Sequence, residues 1–129
     1  TKINDLSLDE ETKLWHTQNY ILFMFNTQGL NFRDMSLLKM ENIQQDRLVY
    51  IRRKTKRIYN IKITAKAKEI IDYYSKRLET NAHPKQFLFP ILPHSYGDND
   101  KNDTKMYNSS LKYMNDLCNI IKSAMWIKN

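Results

Sequence analysis

The sequence is poor in residues that break or staple a chain. Among 129 residues there are two glycines, three prolines and one cysteine. So little glycine and proline excludes a collagen-like chain, a linker-rich chain and a turn-dense all-β fold. The lone Cys118 excludes an internal disulfide framework and a cysteine-rich zinc site, which suits a reducing cytoplasm. Long apolar runs are also missing. The longest, Tyr20 to Phe25, has six residues, far below the roughly 20 that cross a bilayer. No basic-then-apolar leader opens the sequence. A soluble, unexported, cytoplasmic protein is expected, with no membrane contact.

What is present points to one compact domain. The composition is 41% hydrophobic, 12% aromatic and 27% charged, enough apolar surface for a single core and too much for intrinsic disorder. The net charge of +7 is local: Arg47 to Lys68 holds nine basic residues and no acidic one, leaving twelve basic against fourteen acidic elsewhere. Such a segment is either a polyanion-binding surface, with nucleic acid the commonest partner, or a solvated basic hairpin.

The pattern predicts an α+β fold, mainly helical, with about four helices and one basic β-hairpin. Ser7, Leu8, Asp9 and Glu10 have capping-box spacing, and Leu14, Gln18, Ile21, Leu22 and Phe25 recur at helical period up to Gly29, predicting a helix over 8–28. Asn31, with Asp34 three places on, predicts the cap of a short second helix burying Phe32, Met35 and Leu38 and ending before Glu41. Arg47 to Lys54 and Arg57 to Ile63 are rich in β-branched and aromatic residues and flank Thr55-Lys56, which predicts the hairpin. Its tip lacks glycine and asparagine, so a loop longer than two residues, and mobile, is expected. Thr64 caps a third helix over 65–79, and Phe87 to Pro93 reads as an extended segment packed on the core. Thr104 caps a fourth helix over 105–124, with Leu111, Met114, Leu117, Cys118 and Ile121 facing inward.

Most familiar chemistries find no residues here. His16, His83 and His94 lack partners at metal-ligand spacing. The polar run 96–104 has neither the glycine nor the glutamate of a calcium loop. No phosphate-binding glycine loop and no nucleophile elbow occurs, so neither a metal nor a cofactor is expected. Arg33, at the start of the second helix, and Lys54, in the basic hairpin, do suit phosphate chemistry. An arginine there can clamp a phosphate bidentately, and a lysine can protonate a leaving alkoxide. The plain alternative is a surface ion pair for Arg33 and one charge among nine for Lys54.

Three stretches together, Gly29-Leu-Asn-Phe-Arg-Asp-Met-Ser-Leu-Leu-Lys-Met-Glu-Asn-Ile43, the hairpin Leu48 to Ile63 with Arg53-Lys54-Thr55, and Phe89-Pro90, resemble the catalytic domain of tyrosine recombinases, the phage integrases. The sequence is most similar to mobile-element integrases of the Bacteroidetes, over about 8–122. The resemblance implies double-stranded DNA as partner, DNA integration and site-specific recombination through a phosphotyrosyl intermediate, and a full-length homo-tetramer assembled on DNA. It implies Arg33 and Lys54 as catalytic residues, Asn31 and Asp34 as supporting ones, and Arg52, Arg53, Lys56 and Arg57 as DNA contacts.

Two departures from the family shape the expectation. Most members carry arginine where this sequence has Asn31, and Arg33 lies two places on, about 200° further round a helix, approaching the phosphate along a different path. No His-x-x-Arg occurs, since Asn19, Gln86 and Gly97 stand three places after the histidines, and none of the eight tyrosines is expected to be the nucleophile. Residues 1–129 therefore resemble a partial catalytic domain, without the second arginine box, the nucleophile and the N-terminal DNA-clasping domain, and are expected to be inactive in isolation. Helix 4, lacking its packing partner, is expected to drive self-association. Two alternatives remain: a non-catalytic DNA-binding remnant or regulator, and a small RNA-binding module whose Tyr50 and Tyr59 stack on bases.

Overall fold

A computed structural model describes residues 8–78, 85–92 and 100–127. Within them the chain forms four α-helices and a three-stranded antiparallel sheet, the mainly helical α+β class expected. No helix among the described residues is long and apolar enough to cross a membrane.

Helix α1 spans Lys13–Asn26, starting later than expected. Its cap is Thr12, whose Oγ1 accepts from the Trp15 amide at 3.2 Å. Asp9 and Glu10 precede the helix, and Ser7 lies outside the described residues. The helix ends in a six-to-one bond from the Gly29 amide to the Met24 carbonyl at 3.1 Å. Gln28 and Gly29 both take positive φ, 61° and 77°. Side-chain space around Gly29 is open, so backbone conformation alone favours glycine there. The buried face of α1 also differs. Phe25 is 68% exposed, whereas Tyr20 and Phe23 are buried, because the chain packs against the 20/23 side. Thr17 tolerates burial on that side because its hydroxyl donates to the Lys13 carbonyl at 2.9 Å.

Helix α2, Phe32–Ser36, is capped by Asn31 as expected but is only five residues long. A short 3-10 turn, Met40–Asn42, then leads into strand β1, Ile43–Gln44, which the sequence reading missed. A two-residue turn with Gln45 at φ 59° joins it to β2, Arg47–Ile51. Strand β3, Ile58–Lys62, pairs with β2 so that Leu48 faces Ile61 and Tyr50 faces Tyr59. Leu48, Tyr50 and Ile61 are buried, while Arg47, Ile51, Asn60 and Lys62 on the opposite face are exposed. The basic hairpin thus exists, but its strands stop before Arg52 and after Arg57, and Lys54 lies in the loop.

Helix α3, Ala65–Lys76, is capped by Thr64, whose Oγ1 accepts from the Ala67 amide at 3.2 Å. It buries Ala67, Ile70, Ile71 and Tyr74; Leu78, inside the range 65–79 predicted for this helix, is half-buried just past its end. Residues 85–92 pack on the core as expected, burying Leu88, Phe89 and Leu92, but they run through turns and bends with a single bridge between Phe87 and Lys39 rather than as an extended segment. The Leu88 amide donates to the Leu38 carbonyl at 2.9 Å and the Met40 amide to the Gln86 carbonyl at 3.0 Å. Phe89 is the junction, with ring centroids 5.5 Å from Tyr20, 4.9 Å from Phe23 and 5.1 Å from Tyr74. Pro93 lies outside the described residues.

Helix α4, Asp100–Ile127, has 28 residues, so Thr104 sits inside it rather than capping it. Tyr107, Met114 and Ile121 are buried at seven-residue spacing, with Leu111, Leu117 and Cys118 half-buried beside them. The inward face expected over 111–121 is therefore covered by the chain itself, and among the described side chains the exposed large apolar ones on this helix are Tyr113 and Ile120.

Two predictions follow from this packing. Phe89→Ala leaves a cavity between α1 and α3 and should cost about 3–5 kcal/mol in urea unfolding, a large share of a small domain's stability. His16 shares a 2.6 Å hydrogen bond between Nδ1 and the Tyr74 hydroxyl, and burial holds its pKa below the ordinary value, with Glu11 opposing that shift. Below about pH 6.5 the unfolded chain therefore binds a proton that the folded chain resists. Stability should fall as pH drops from about 7 toward 5, and His16→Asn should flatten thermal melts in that window.

Candidate functional site

The site begins at the α1–α2 connection. After the left-handed Gln28 and Gly29, Asn31 takes an extended backbone, and its Oδ1 accepts from the Asp34 amide at 2.8 Å. That cap fixes where α2 starts and sends Arg33 and Asp34 in different directions. Asp34 turns inward and is 6% exposed. Its Oδ1 accepts from the Arg53 backbone amide at 3.2 Å, nineteen residues along the chain. Asp34 therefore does more than support its own helix: it ties the hairpin loop to α2.

The loop is held from its own side as well. The Arg52 amide donates to the Arg57 carbonyl at 2.8 Å, and the Lys56 amide donates back to the Arg52 carbonyl at 2.7 Å. Closing a four-residue tip without glycine requires one left-handed residue, and Lys56 supplies it at φ 60°. The loop is thus longer than a two-residue turn, as the missing glycine implied.

These two constraints bring Asn31, Arg33, Asp34, Arg53, Lys54 and Lys56 together around an open cleft of about 530 Å³, with Phe32 and Tyr107 completing its wall. Asn31 and Arg33 face the same cleft, so the 200° separation expected on a helix does not arise; Asn31 is a cap outside the first turn. Four cations and one carboxylate line the cleft. The positive character comes from side chains, because a five-residue helix adds little dipole. Arg52 and Arg57 do not line it. Arg52 turns to Tyr59, with Nη1 3.3 Å from the phenol oxygen, and Arg57 is exposed.

Tyr107 was not singled out from sequence. Its ring lies under the Arg33 guanidinium, centroid to Cζ 4.5 Å, and 6.2 Å from the Phe32 ring. The available signal was an aromatic at the inward period of α4, which reads simply as core. Among the described residues Arg33 makes no ion pair, and its buried Nε and the buried Asp34 Oδ2 have no hydrogen-bond partner. The surface ion pair that is the plain alternative for Arg33 is thus not formed among the described residues.

The hairpin tyrosines are occupied with each other. Tyr50 is 8% exposed and stacks on Tyr59 at 5.4 Å and 13°. Burial pushes the Tyr50 and Tyr20 phenols up, and Tyr74 up to about 12, the opposite of what activates a phenolate nucleophile. Among the described residues no group of histidine, cysteine and carboxylate side chains is arranged to hold a metal.

Chemically, the cleft can accept a phosphate: two guanidiniums for planar contacts and two ammoniums as point charges. Its shape depends on the Asp34 tie. Asp34→Ala should leave the Arg53 amide without its acceptor, cost about 1–3 kcal/mol and speed hydrogen exchange at Arg53 while leaving Ile61 in β3 protected. A search found no matching family model, no matching curated protein and no matching solved structure.

Proposed function

We propose that this cleft is a phosphate-binding site for duplex DNA, and that the chain is part of a tyrosine recombinase catalytic domain acting in DNA integration and site-specific recombination. The observation that carries the reading is convergence. Two segments separated in sequence deliver Arg33, Arg53, Lys54 and Lys56 to one open cleft whose only acid among the described residues, Asp34, accepts at Oδ1 from a backbone amide and forms no ion pair with those cations. A polyanion with closely spaced phosphates is the natural complement.

In this reading Arg33 clamps the non-bridging oxygens of the scissile phosphate. In such a reaction a tyrosine oxygen displaces the 5′ oxygen at phosphorus, and the guanidinium meets the charge that gathers on the phosphoryl oxygens. Lys54, exposed in the loop, passes its proton to the departing 5′ oxygen. Arg53 and Lys56 hold flanking phosphates, and Arg52 and Arg57 sit at the edge of the footprint. The second arginine box and the nucleophile lie outside these 129 residues, which contain no His-x-x-Arg. The chain by itself binds DNA without cutting it, and the complete recombinase works as a tetramer on DNA in the cytoplasm, without metal or cofactor.

A second reading, a DNA-binding module with no catalytic step, would use the same cleft. The stacked Tyr50–Tyr59 pair speaks against the RNA alternative, because the ring faces are in use. A covalent adduct trapped on this chain with a nicked duplex would overturn the non-catalytic reading.

Duplex binding followed by fluorescence anisotropy across a salt series tests the footprint. Arg53→Gln, Lys54→Gln and Lys56→Gln should each weaken binding to all sequences and reduce the log–log salt slope by about 0.9 per lost phosphate contact. Arg57→Gln should do less. Unchanged affinity in the first three, or preference for single-stranded RNA, would sink the proposal.

A further inference from the structure

We infer that Tyr107 is a positioning residue for Arg33: its ring face holds the guanidinium at the cleft without neutralising it. The inference deepens the phosphate-binding reading above and rests on it for the ligand, though not for the positioning itself.

A long cation lining a cleft is usually fixed by a carboxylate, which orders the side chain but quenches the charge an anion would meet. The nearest acid in sequence, Asp34, is turned away to the Arg53 amide, and Arg33 makes no ion pair among the described residues. Its Nε is buried with no hydrogen-bond partner, so hydrogen bonding does not fix the stem either. What remains is the aromatic face. The guanidinium carbon lies 4.5 Å from the Tyr107 centroid, well inside the roughly 6 Å over which a ring attracts a cation. Tyr107 is 9% exposed and rooted in α4, and Phe32, one residue before Arg33, also approaches its ring. The contact holds the guanidinium over the Tyr107 ring while leaving its positive charge to an incoming phosphate.

The placement also explains why an element so distant in sequence bears on the cleft. Arg33 and Tyr107 are 74 positions apart, and α4 reaches the cleft because Met114 and Tyr107 share its buried face. The ring and not the hydroxyl is the working part, so phenylalanine should serve and leucine should not.

Two measurements separate this inference from the DNA reading. The first uses the free protein: the ¹⁵N–¹H resonance of Arg33 Nε should be sharp and ring-shifted in the native chain and in Tyr107→Phe. In Tyr107→Leu it should move toward the random-coil position and exchange faster with water. A Tyr107→Leu spectrum in which the backbone is native and Arg33 Nε is unmoved would overturn the inference whatever DNA does. The second uses a short duplex at fixed salt. Tyr107→Leu should weaken binding about fivefold, a coupling of about 1 kcal/mol, with Tyr107→Phe unchanged. In an Arg33→Met background Tyr107→Leu should have no further effect. Equal losses in both backgrounds would make Tyr107 merely structural. Absence of duplex binding by the native chain, with the resonance behaving as expected, would remove the DNA reading and leave the positioning intact.

Discussion

The packing of Phe89 is the contact on which the other elements depend. A helix pair and a small sheet have no intrinsic reason to hold one relative orientation, and the irregular segment 85–92 supplies it. Its aromatic ring enters between α1 and α3 against Tyr20, Phe23 and Tyr74. Its backbone bonds to the chain just after α2 through Leu38 and Met40, and the Ile91 carbonyl accepts from Ser110 of α4 at 3.2 Å. A single short segment thus fixes α1, α3, α4 and the start of the sheet. The prolines nearby suit that role, because a segment barred from joining a sheet interior remains available to wedge between layers.

Local chemistry was legible from sequence wherever one side chain decides a backbone choice. Asn31 and Thr64 cap their helices, and the basic hairpin forms about where alternation put it. What was not legible depended on tertiary partners. Phe23 and Phe25 lie about 200° apart on α1, and the packing of Phe89 against Phe23 decides that the Phe23 side is buried and Phe25, on the expected period, is exposed. Strand β1 is two residues long and turns on Gln45, a residue with no turn signature. The early start of α4 removes Thr104 from its cap position because the preceding Asp100 to Asp103 already join the helix.

The candidate site divides in the same way. Arg33, Asp34, Arg53, Lys54 and Lys56 could be named from sequence, and the structure brings them together. Arg52 and Arg57 belong to the same charge run but are strand-flanking residues facing elsewhere, a distinction that depends on where the strands stop. Tyr107 carried no signal except helical period. The Asp34–Arg53 bond was equally hidden, since a carboxylate beside an arginine suggests an ion pair rather than a backbone tether.

The strand order places β3 at an outer edge of the sheet, and it carries the exposed Ile58 at one end. An edge of this kind invites pairing with a strand of another molecule. Arg57 and Lys62 bracket it, so a second copy approaching antiparallel would bring like charges together at both ends. The basic residues at the two ends of β3 therefore disfavour strand-to-strand association. This protection fades as ionic strength shortens the screening length to a few ångströms.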